Sequence, residues 1–174
     1  MEKYVWLFPL IFIFHDMEEI IGFKAWLKKN KSFLDSKYPN ISKTYQNFST
    51  EGFAFAVFEE LILCIIFCIL AVTLNSNYIW YLWLGEFIAC TLHFIIHIGQ
   101  AIMMKRYIPA IITSIICLPL SILIIIKCLA LCTDQVGIII TFIVIGIIIV
   151  ALNLKFAQSL IGKFTIWMNN KEKM

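Results

Sequence analysis

Long apolar runs separated by short polar breaks divide this chain, and the runs have the length of membrane-crossing helices. Five of them approach the roughly 20 residues that a span requires. They lie near residues 4–26, 52–74, 78–104, 107–131 and 136–162. The first break, residues 27–51, mixes Lys28, Lys29, Lys31, Lys37 and Lys43 with Phe33, Leu34, Tyr38, Ile41, Tyr45 and Phe48. Such a mixture suits a cytoplasmic loop or short helix at headgroup level, interrupted at Pro39-Asn40. Asn75-Ser76-Asn77 predicts a tight turn, Lys105-Arg106 the next boundary, and Thr133-Asp134-Gln135 the last. Trp80, Tyr81 and Trp83 predict an interfacial aromatic belt. Pro109 and Pro119 predict the start and a kink of the fourth span. The expected fold is all-α: one transmembrane domain over residues 1–174, a polytopic bundle of about five helices.

Composition agrees. Of 174 residues, 61% are hydrophobic and 14% charged, against about 45–50% and about 25% in soluble domains. Mean hydropathy is +0.91. A water-soluble chain this short has no means of hiding that much apolar surface. The net charge of +3 is modest and the lysines are spread out, which excludes a nucleic-acid-binding patch. The first run carries only Lys3, offset by Glu2, in its leading segment. His15, Asp16, Glu18 and Glu19 stand where a small-residue cleavage site would be, so the run is expected to stay as a retained helix. The loop after the first span carries the lysines, the 75–77 turn none, the 105–106 turn two, and the tail Lys163, Lys171 and Lys173. By the positive-inside rule this places the N-terminus outside and the C-terminus in the cytoplasm. The six cysteines, none in a CxxC arrangement, read as small apolar residues of membrane helices.

The ionisable residues change the picture. Inside the first three spans lie His15, Asp16, Glu18, Glu19, Glu59, Glu60, Glu86, His93 and His97, which include every histidine of the chain. A full charge at the centre of a span costs about 2.5–3.5 kcal/mol, so the groups must be neutralised by protons, by each other or by a cation. His15 shares a helix face with Glu18 and Glu19 at i+3 and i+4. Glu86, His93 and His97 form a second stripe at offsets of seven and four. Adjacent Glu59 and Glu60 do not both point into the bundle, and the pattern leaves open which does. At about 1.5 Å per residue, His15, Glu18, Glu19, the Glu59-Glu60 pair, His93 and His97 reach one layer, with Glu86 about 10 Å above it. The last two spans, rich in Ile, Leu and Val, read as packing scaffold.

Histidine and carboxylate together are ligands for Zn²⁺ or for a pair of Fe or Mn ions. Without a metal, the same groups suit acid–base work such as lipid isomerisation, or proton conduction. A purely structural set of interhelical hydrogen bonds is the plain alternative. No HExxH sequence is present, so a metalloprotease is not expected.

His15-Asp16-Met17-Glu18-Glu19 resembles the motif of the HXXEE family of bacterial integral membrane proteins, which is uncharacterised in function. That family also carries a further His, matched best by His97, and a Tyr-x-Pro-Gly motif. Here Tyr107-Ile108-Pro109-Ala110 stands in its place, with Ala for Gly. The resemblance spans roughly residues 10–115 and implies a multi-pass location in the bacterial inner membrane. The expected function is a membrane-embedded, metal-dependent enzyme acting on a lipid or other apolar substrate. His15, Glu19, Glu59, His93 and His97 are the expected ligands, and Glu18 and Glu60 the catalytic proton carriers. The expected partners are membrane lipid and a second copy of the chain in a homo-oligomer. The competing readings are a small transporter or ion pathway, a metal-free isomerase, and a structural membrane subunit.

Overall fold

The computed structural model describes residues 1–171. It is all-helical, with no strand among the described residues. After a short 3-10 turn, six helices follow: α1 (Leu7–Lys37), α2 (Pro39–Thr44), α3 (Thr50–Leu74), α4 (Asn77–Met104), α5 (Ile111–Leu129) and α6 (Val136–Lys171). Four of them, α3 to α6, are long and apolar enough to cross a membrane. The fifth expected span is the N-terminal part of α1, where Asp16, Glu18 and Glu19 dilute the apolar run below that standard.

Local chemistry explains most of the boundaries. The expected loop after residue 26 is instead a continuation of α1, which at about 1.5 Å per residue is long enough to outrun a bilayer. It ends just before Pro39, whose ring disfavours helix in the residue preceding it, and Pro39 then opens α2. Ser49 caps α3 by accepting from the Gly52 amide at 2.9 Å. Asn75 and Lys105 adopt left-handed conformations that end α3 and α4.

Close helix contacts depend on missing side chains. Gly85 of α4 and Gly146 of α6 lie where the two backbones touch, and a Cβ on either would collide with a carbonyl of the other helix. Gly52 does the same for α3 against Ile161 of α6. The core above the ionisable layer is aromatic: Phe8, Trp83 and Phe87 pack together, with Phe8 and Phe87 centroids 5.4 Å apart. This corrects the expected interfacial belt. Trp80, Tyr81 and Trp83 are buried within the bundle, and the Tyr81 hydroxyl donates to Asp134 at 2.9 Å. All six cysteines are free thiols, five of them buried, as their apolar surroundings led one to expect.

Candidate metal centre

Two helices furnish the donors. On α1, His15 and Glu19 are one turn apart and buried; on α4, His93 and His97 are one turn apart, His97 buried and His93 partly so. One ligand atom from each of the four lies within 4.8 Å of every other. The rings crowd together, with centroids of His15 and His93 5.6 Å apart, His15 and His97 5.2 Å, and His93 and His97 4.2 Å. Nε2 of His97 approaches Nε2 of His93 to 2.7 Å and Glu19 Oε1 to 3.5 Å. Two Nε2 atoms that close either share one proton in a hydrogen bond or, with neither protonated, turn both lone pairs into the same space.

His15 is held by a relay from α5. The Thr113 hydroxyl donates to Glu18 Oε2 at 2.7 Å, and the Thr113 amide donates to the same oxygen at 2.8 Å. With its hydrogen so committed, the hydroxyl oxygen is an acceptor toward His15 Nδ1, 3.1 Å away. This assigns the His15 proton to Nδ1 and leaves a lone pair on Nε2. Nε2 is buried and has no hydrogen-bond partner, and the same is true of His97 Nδ1.

The donor set fits a divalent cation. Imidazole and carboxylate are ligands of Zn²⁺ and of Fe and Mn sites alike. Adjacent donors around one ion at about 2.1 Å lie about 3.0–3.4 Å apart, so side-chain shifts of about an ångström would bring a group now within 4.8 Å to that spacing. Metal-ligating histidines characteristically donate their other N–H to a fixed partner, as His15 does to Thr113. The group therefore could hold a metal ion.

The other expected site residues fall elsewhere. Glu18 faces away from the donors. It accepts from Thr113, at the third position of α5, and from the Tyr107 hydroxyl at 2.8 Å, so its carboxylate satisfies the amide end of that helix. Glu59 is turned to α6, where the Asn153 amide donates to it at 3.1 Å; it is not one of the four grouped donors. Glu60 faces inward and lines two cavities beside the centre, as does Asp16. Glu86 is buried nearby with neither carboxyl oxygen bonded. The four donors thus come from two helices, not the three that the sequence suggested.

The first cavity, of about 370 Å³, is bordered by Asp16, Glu19, Glu60, His93, His97 and Gln100 and extends to Tyr45 and Phe48 of the connection between α2 and α3. Burial, and then the charge of Glu19, pushes the Tyr45 phenol up from its ordinary range. The Tyr107 phenol is pushed up to about 12 by burial, followed by its bond to Glu18 and the charge there. Thr113, missed from sequence, had one available signal: it sits in the first turn of a helix opened by Pro109, where a nearby carboxylate is favoured.

A family model described as a protein of unknown function with HXXEE motif matches residues 6–124. Those residues contain all four donors, together with Glu18, Tyr107 and Thr113. No curated protein and no solved structure matches the chain.

Proposed function

We propose a function for this chain, which belongs to the family of proteins with an HXXEE motif: it is a membrane-embedded, metal-dependent enzyme acting on a lipid or other apolar substrate. The observation that carries this reading is the convergence of His15, Glu19, His93 and His97 on one buried point, with a lone pair of His15 unused. In this reading those four are the ligands. A divalent ion held by them would supply Lewis-acid chemistry, polarising a substrate oxygen or acidifying a water molecule at a coordination position beyond the four side chains. The Thr113 hydroxyl holds His15 in the ligating tautomer, and Glu18 holds Thr113. Glu60, beside Asp16 on the cavity wall, receives and returns the proton. Glu59 and Glu18, turned to other partners, do not serve as ligand and proton carrier. The N-terminus faces outward and α1 is the fifth crossing, which puts the centre in the cytoplasmic half of a bacterial inner membrane.

Elemental analysis of detergent-purified protein tests the reading. The expected result is close to one equivalent of Zn, Fe or Mn per chain, lost in His15→Ala and in His97→Ala. A metal content no higher than that of a chain lacking all three histidines would sink it. The row of carboxyls Asp16, Glu60 and Glu86 along one cavity favours a second reading, a proton or ion pathway, which predicts flux in proteoliposomes abolished by Glu60→Gln.

A further inference from the structure

A second cavity, of about 220 Å³, adjoins the first, and the two share Asp16, Glu60, His93 and Leu154 as walls. Beyond those residues its lining is apolar except for Glu86 and Asn153, with Phe8 and Phe12 of α1, Leu63 of α3, Leu92 and Ile96 of α4, and Ile147, Val150 and Ala151 of α6 forming most of the wall. From Asp16 to Phe8 along α1 is eight residues, or about 12 Å.

This cavity has a mouth. The helices α4 and α6 touch at Gly85 and Gly146. Further along both, Leu92 and Ile96 on one wall and Ala151 on the other line the same space and are also exposed on the molecular surface. Both helices are apolar enough to cross a membrane, so the mouth between them faces acyl chains. A second feature concerns charge. The titratable residues bordering the two cavities are Asp16, Glu19, Glu60, Glu86, Tyr45, Cys64, Cys90, His93 and His97, with no Lys or Arg. An anionic end group would meet the carboxyls of Asp16, Glu60 and Glu86 and no cationic side chain, and the charge of an ion at the donor group would already be offset in part by Glu19.

Resting on the reading above, we propose that the substrate is an amphiphile with one apolar chain and an uncharged, oxygen-bearing end, taken in sideways between α4 and α6. The chain lies in the apolar cavity and its end group in the polar cavity, beside His93 and Glu60. Geometry selects the class: a narrow apolar space open to the bilayer leads to a polar one at the donor group, and ligands are held where such surfaces meet.

Photolabelling tests this with a hexadecanol bearing a mid-chain diazirine, and with the matching hexadecanoic acid, on protein in nanodiscs. The alcohol is expected to label Leu63, Ile147, Val150 or Ala151, with excess hexadecanol competing. Ala151→Trp and Leu92→Trp, both at the exposed mouth, are expected to abolish the labelling with metal content unchanged. Label confined to outward residues such as Ile122 and Ile126, or indifferent to both substitutions, overturns the proposal. Acid that labels the cavity as well as the alcohol does overturns the uncharged end group. Metal-free wild type that still labels the cavity supports this inference while refuting the metal reading; full metal content with no cavity label does the reverse.

Discussion

Thr113 carries no charge and no strong ligand atom, yet it decides which nitrogen of His15 is free. Its hydroxyl is 2.7 Å from Glu18 and 3.1 Å from His15. Thr113→Val keeps the shape and the amide bond to Glu18 but removes the acceptor. We expect metal affinity to fall about 10–100-fold, as for other partners of ligating histidines, with helix content unchanged by circular dichroism; unchanged affinity in a chelator competition would refute the relay. Glu86 poses the opposite case, a buried carboxyl with neither oxygen bonded. Exchanging an unsatisfied buried polar group for an apolar one relieves about 1–3 kcal/mol, so Glu86→Leu is expected to raise the thermal midpoint in detergent and leave metal content intact. At this scale the sequence was informative about identity and weak on direction. His15, Glu19, His93 and His97 were legible from spacing alone. Glu18 was not, because an i+3 neighbour on a helix can turn toward either flanking helix, and α5 supplied unbonded amides that a carboxylate satisfies.

Among the elements, the start of α5 carries the most strain. Ala110 has φ of 92° and ψ of −15° and is fully buried. A left-handed conformation costs an L-residue about 1–2 kcal/mol, and here it occupies the place where the family motif has Gly. Ala110→Gly relieves that cost at the loss of one buried methyl, worth about 0.8 kcal/mol, so stability is expected to hold or rise slightly. Ala110→Val adds a branched side chain where none is favoured and is expected to lower stability by more than about 2 kcal/mol. Thermal midpoints of the two variants check this; a Val variant as stable as the Gly variant would contradict it. The strain has a use: the turn aims the first amides of α5 at Glu18, and so places Thr113 against His15. Here the sequence reading was partial. Pro109 announces a helix start, but in sequence α5 reads as scaffold because it has few polar residues, and the partner of its amides lies 95 residues away on α1.

At the scale of the molecule, apolar run length located the four helices able to cross a membrane, and the run at residues 4–26 became the first part of α1, where Asp16, Glu18 and Glu19 interrupt the hydrophobicity. The bundle's inward faces were harder to read. Trp80, Tyr81 and Trp83 looked interfacial, yet they pack inside, because Gly85 and Gly146 draw α6 onto α4 and the aromatic layer closes around Phe8. That layer roofs the donor group, and the polar cavity opens on its other side. The assembly brings polar groups that are costly in an apolar bundle to one point, and on the reading proposed above a cation offsets their cost. An anomalous difference map from crystals grown with Zn²⁺ or Mn²⁺ tests this most directly. The account predicts a single strong peak within bonding distance of His15 Nε2, Glu19, His93 and His97; a map with no peak there, or with the ion at the cysteines or at surface carboxylates, would contradict it.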